Sequence, residues 1–118
     1  MRLHHLALRT AAPEPLAAFY ADVFGLSRVR EQAGYSIWLG LDDAVLMIER
    51  AAPDEPLVPA GSLEFCAFAV DEAGRAAVEA RLADHGCAVE ARTAYTLYFR
   101  DPDGRRVGVS TYPLPAGR

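Results

Sequence analysis

The sequence predicts an α+β fold built from two βαβββ modules. Short apolar runs able to alternate in and out recur along the chain, and two longer stretches carry apolar residues at helical spacing. The order strand, helix, three strands then occurs twice, at an offset of about sixty residues. Neither half has enough apolar surface to bury its sheet alone, so the halves are expected to pack as one domain.

The first module reads as follows. "LHHLALRT" (3–10) is a strand. In "APEPLAAFYADVFGL", Leu16, Phe19, Tyr20, Val23 and Phe24 fall on one helical stripe. Pro13 or Pro15 suits the first turn, Glu14 suits the positive end of the dipole, and Gly25 can close the other end. "LSRVRE", "YSIWLGL" and "AVLMIER" are three strands, broken at Gly34 and at Asp42–Asp43. Three prolines in "AAPDEPLVPAG" (51–61) mark a linker.

The second module repeats the order. "SLEFCAFAV" (62–70) is a strand, and "DEAGRAAVEARLADHG" (71–86) is a helix with Asp71 as N-cap and Gly86 at its end. Val78 and Leu82 mark its inner face. "CAVEAR", "YTLYFRD" and "RRVGVSTY" close the module. The division is therefore one domain over 1–118, with module one at 1–50, linker at 51–61, module two at 62–112 and tail at 113–118.

Composition narrows the function. Apolar residues make up 52% of 118, enough for a core. A net charge of −4, with no basic cluster beyond Arg105–Arg106, argues against nucleic acid. All twelve basic residues are arginine, which hints at a bacterial, GC-rich coding bias. No apolar run approaches the ~18 residues of a membrane span, and "MRLHHLALRT" is too short for a signal peptide. Cys66 and Cys87 lack a CxxC spacing and suit a reducing, cytoplasmic setting. The glycines form neither GxGxxG nor a P-loop, and Ser110 lacks a nucleophile elbow.

Certain stretches carry a family likeness. "HHLALRTAAPEPLAAFYADVFGL" resembles the opening of the vicinal oxygen chelate superfamily, the group of glyoxalases, extradiol dioxygenases, fosfomycin-resistance enzymes and bleomycin-resistance proteins. "FAVDE", "LADHG" and "YFRDPDGRRVGVS" resemble its second half, so the likeness runs from Leu3 to about Tyr112. DPDG alone is ordinary turn chemistry. The resemblance implies a curved eight-stranded sheet, a half-open barrel around a cup, and a homodimer.

In metal-binding relatives four strand positions hold a divalent ion. Carried onto this chain, they are His5, Met47, Phe65 and Gly108. Phe65 and Gly108 carry no donor, and a thioether is a poor ligand for zinc, magnesium, manganese or ferrous iron. Gly108 is expected to leave room and widen the cup. Alternation puts Ala7, Arg9, Val45, Glu49, Ala67 and Arg106 on the same face, with Trp38, Tyr95 and Tyr98 of undetermined parity. These residues mix apolar walls with a few polar groups, as small-molecule pockets do, although Trp38 and Phe65 could equally fill the core. His5 reads three ways: a core histidine, a ligand-contacting or proton-transferring group, or a metal ligand. His4 alternates to the other face, and His85 suits a helix C-terminus.

Two functions follow. The first is a cofactor-free protein that binds an aromatic or amphipathic small molecule through His5, Arg9, Trp38, Met47, Glu49, Phe65, Tyr98, Arg106 and Gly108. The alternative is a lyase, isomerase or dioxygenase of the glyoxalase type, with His5 and Glu49 as catalytic acid–base residues or as ligands of one divalent metal ion. A purely accessory role would not need the intact alternation of that face.

Overall fold

The computed structural model describes residues 1–115, and the last part of the tail, 116–118, lies outside them. The chain divides into two compact units, Met1–Pro59 and a second beginning at Ala60. The boundary falls inside the proline-rich stretch. Each unit is a βαβββ module holding one helix and one four-stranded sheet.

In the first unit, β1 (His5–Thr10) is followed by α1 (Pro13–Phe24), β2 (Arg28–Gln32), β3 (Ser36–Gly40) and β4 (Val45–Arg50). The sheet order is β1-β4-β3-β2. Parallel pairing of β1 with β4 sets His5 against Val45, Ala7 against Met47 and Arg9 against Glu49. Antiparallel pairing of β3 with β4 sets Ser36 against Glu49 and Trp38 against Met47. Pro13 starts the helix without a side-chain cap; its missing N–H is one the first turn could not use anyway. At the far end Gly25 takes φ 69° and Leu26 N–H donates to the Ala21 carbonyl at 3.0 Å. A side chain would resist that left-handed backbone.

The alternation separates two faces. Leu8, Ile37, Leu39, Leu46 and Ile48 are buried on one, as are Leu16, Phe19, Tyr20 and Val23 of α1, which packs on β3 and β4. The other face, free of helix, carries His5, Ala7, Arg9, Ser36, Trp38, Met47 and Glu49. The linker is more than a spacer. Ala51 N–H donates to the Thr10 carbonyl at 2.8 Å, so its first residues stay fastened to module one.

In the second unit, β5 (Phe65–Ala69), α2 (Glu72–Asp84), β6 (Ala91–Arg92), β7 (Thr96–Arg100) and β8 (Arg106–Ser110) repeat the order, with sheet order β5-β8-β7-β6. Asp71 caps α2 by accepting from Gly74 N–H at 2.7 Å. Gly86, at φ 65°, donates to Ala83, and Cys87 N–H donates to Leu82, the paired bonds of a Schellman ending. Cys66 and Cys87 are free thiols, and burial pushes both pKa values up. The strand expected over 87–92 shrinks to Ala91–Arg92, because only those residues pair with β7, at Tyr98 and Leu97. The DPDG turn is held by the buried Asp101 carboxylate, which accepts from Asp103 and Arg105 N–H at 2.8 and 3.0 Å and ion-pairs with Arg105 at 3.2 Å. This fixes how β8 enters the sheet.

Here too one face is buried: Leu97, Phe99, Val107 and Val109, with Val78 and Leu82 of α2. The opposite face carries Phe65, Ala67, Tyr98, Arg100, Arg106 and Gly108. Because Ile48 is fully buried, Ile48→Ala is expected to destabilise by about 2–5 kcal/mol. Urea unfolding reads this as a lower midpoint at unchanged slope, and a midpoint equal to that of the parent chain would contradict the core assignment.

Candidate functional site

The helix-free faces hold the sequence-predicted residues. In module one, His5, Arg9, Trp38, Met47 and Glu49 all lie on that face. In module two, Phe65, Tyr98, Arg106 and Gly108 do. Register thus fixes the parity of Trp38 and Tyr98. Tyr95 falls in the turn before β7, where it packs edge-on against Tyr112 at 4.9 Å.

His5 is exposed, which removes the core-histidine reading. Its Nδ1 lies 2.8 Å from Nδ1 of His4, so one ring donates to the other. His5 and Glu49 share a face but do not form a pair. Glu49 stands opposite Arg9, four residues further along the parallel register, about 13 Å from His5's position. The acid–base pairing considered from sequence is therefore corrected by distance.

Arg9 is instead the hub of module one. Its Nη1 reaches Glu49 at 3.2 Å and the Tyr35 hydroxyl at 3.5 Å. Its Nε and Nη2 grip Glu55 in a two-point contact at 3.0 and 2.8 Å. Glu55 also accepts from Ala52 N–H at 3.1 Å. Arg9, followed by that N–H, holds the Glu55 carboxyl down at about 2, and the carboxylates in turn hold Arg9 charged. Glu55 lies in an aperiodic proline-rich stretch, so no sequence pattern pointed to it.

Trp38 is half-buried and fastened in place. Its indole N–H donates to Ser36 Oγ at 3.1 Å, Ser36 donates to Gln32 at 2.8 Å, and Arg30 lies 4.9 Å from the ring centroid. The indole belongs to a tethered surface wall.

Module two combines rings with charge. Phe65 and Tyr98 have ring centroids 4.5 Å apart. The Arg106 guanidinium sits 4.3 Å from the Tyr98 centroid and 5.9 Å from that of Phe65. Arg106 Nε donates to Glu90 at 2.9 Å, and Arg100 grips the same carboxylate at 2.6 and 3.2 Å. Glu90 is held below the usual carboxylate range, first by Arg100 and then by Arg106. Sequence reasoning missed Glu90 and Arg100. Alternation from Tyr98 could have placed Arg100, whereas Glu90 precedes a strand too short to show a pattern.

Gly108 corrects the expectation of a widened cup. A Cβ built there would fall on the Leu97 carbonyl oxygen, with Phe65 Cζ 3.1 Å away. Glycine serves a close approach of two strands, and the space a side chain would need is occupied.

The residues do not fit a metal ion. Met47 offers a thioether, Phe65 and Gly108 offer nothing, and Glu49 is engaged by Arg9. Among the described residues no three of His, Cys, Asp and Glu cluster closely enough to hold one.

Against known proteins, residues 2–109 match the family model described as Glyoxalase/Bleomycin resistance protein/Dioxygenase superfamily. The fold is similar to that of the fosfomycin resistance protein FosX from Mesorhizobium loti, at 22% identity over 96% of this chain and 93% of that one, TM-score 0.78. It is also similar to lactoylglutathione lyase from Agrobacterium tumefaciens, at 25% identity over 91% and 90%, TM-score 0.65. FosX from Listeria monocytogenes aligns at 13% identity over 94% and 90%, TM-score 0.76. No curated protein matches the chain. At such identities the structural likeness is one of fold.

Two outcomes are expected. Gly108→Ala should destabilise by about 2 kcal/mol or more, because a backbone carbonyl must move. Denaturant unfolding within about 0.5 kcal/mol of the parent would contradict the close approach. Since the folded pKa of Glu55 lies below its ordinary 4.5, the Arg9 contact contributes stability above that value and loses it as pH falls through about 2. Carboxyl-carbon NMR should show the Glu55 midpoint near 2, rising toward the ordinary value in Arg9→Met, where the Ala52 N–H still lowers it; a midpoint near 4.5 in the parent chain would refute the contact.

Proposed function

The chain belongs to the glyoxalase/bleomycin resistance protein/dioxygenase superfamily, and from that premise we propose that it is a small-molecule-binding protein lacking the metal site of its metal-dependent relatives. The observation that carries this reading is Gly108. Its Cβ direction is filled by the Leu97 carbonyl, so a carboxylate ligand has no place at the position where such relatives carry one. Met47 and Phe65 support the same reading, since neither supplies a donor suited to a divalent ion.

What the faces offer is contact. Trp38 and Met47 on one sheet, and Phe65 and Tyr98 on the other, present partly exposed apolar surface beside fixed polar groups. That mixture suits an aromatic or amphipathic ligand held without chemical change. His5 is free of Glu49 and open to solvent, so its proposed role is a hydrogen bond to the ligand. Arg9 and Glu49 act as a braced polar wall. The proposed state is a cytoplasmic homodimer, sedimenting at twice the chain mass.

The test is a thermal-shift screen of aromatic metabolites and antibiotics, followed by calorimetry and product analysis of each hit. Saturable binding with the ligand recovered unchanged is expected, since binding to the folded state alone raises the melting temperature. Turnover of a hit, dependent on an added divalent metal, would replace this reading with that of a glyoxalase-type enzyme.

A further inference from the structure

Two of the cationic groups on the helix-free faces, Arg9 and Arg106, differ in how much of their hydrogen-bonding capacity is used. Arg9 commits Nε, Nη1 and Nη2 to protein oxygens and faces two carboxylates, Glu49 and Glu55. One positive charge meets two negative ones there. Arg106 is the reverse case. It shares one carboxylate, Glu90, with a second cation, Arg100, so the cluster carries two positive charges for one negative. Arg106 uses only Nε toward Glu90, and among the described residues neither of its Nη nitrogens has a partner.

The guanidinium is also held in orientation. Glu90 fixes its Nε edge at 2.9 Å, and Tyr98 supports its plane at 4.3 Å. Its side chain is 20% exposed, so little of its rotamer freedom remains to be lost. A planar fork with two unused nitrogens, pre-oriented and electrically unbalanced, matches a carboxylate better than any neutral group. Beside it, Phe65 is 37% exposed and offers an apolar edge.

We propose that the Arg106 fork on the helix-free face of module two selects ligands that join a carboxylate to an aromatic ring, the carboxylate meeting the Nη nitrogens and the ring lying against Phe65. This rests on the small-molecule-binding reading and adds to it the charge class of the ligand. Arg100 and Glu90 act as positioning residues. Arg100 grips Glu90, leaving that carboxylate only a partial claim on Arg106.

The experiment compares 2-naphthoate with its neutral isostere 2-naphthamide by calorimetry at low salt, on the full chain. In the parent protein the naphthoate is expected to bind about tenfold more tightly than the amide, the scale of one charge-assisted two-point contact. Arg106→Met keeps the aliphatic stem and loses the fork, so the preference for the carboxylate over the amide should vanish. Arg106→Gln, measured alongside, should behave the same way and covers the case in which the methionine variant fails to fold. Equal affinities in the parent, or a preference that survives in either variant, would overturn this inference and leave small-molecule binding standing. Saturable binding of neither probe would count against both.

Discussion

The burial of one face of each sheet decides what the other face presents. Leu39, Leu46 and Ile48 in the first module, and Phe99 and Val109 in the second, are fully enclosed. Slipping β4 by one residue would turn Leu46 and Ile48 outward and bring Met47 and Glu49 beneath the helix, and slipping β1 would exchange Leu8 for His5 and Arg9 in the same way. Each such error strips several apolar side chains of burial at about 1.5–3 kcal/mol apiece, more than any single contact on the open face could repay. Positions on the helix-free faces are therefore consequences of core packing, and the chemistry there has to work with the register it is given.

Within that register the two modules show the same plan with different contents. His5 and Met47 stand two residues out of register across β1 and β4, as Phe65 and Gly108 do across β5 and β8. The repeat places two positions on the helix-free face of each sheet in the same relation, while the side chains at them differ in chemistry. At Gly108 the neighbouring strand lies close, and Leu97 and Phe65 hold the space. Charge is distributed unevenly as well: the first face braces its arginine between two carboxylates, and the second lets two arginines share one.

Much of this was legible in the sequence because period-two and helical patterns survive wherever one face is apolar. The stripe of Leu16, Phe19, Tyr20 and Val23 gave α1, and the recurrence of strand, helix and three strands gave the modules. Alternation placed Arg9, Met47, Glu49 and Arg106 on the helix-free faces without coordinates. What escaped was whatever depends on distance along a face or on chain outside the elements. Sharing a face suggested a His5–Glu49 pair, yet four residues of strand separate them. Glu55 reaches Arg9 from a proline-rich segment with no period, and Glu90 reaches Arg100 and Arg106 from beside a two-residue strand. In the sequence Gly108 suggests empty space, because a missing side chain says nothing about how near the next backbone lies.

The most direct test of the claim that these faces cannot hold a cation is diffraction from crystals grown with zinc, nickel or manganese, recorded at each absorption edge. The account predicts no anomalous peak bonded to His5 and none within coordination distance of Gly108. A peak there with three or more protein ligands at about 2.0–2.3 Å would contradict it.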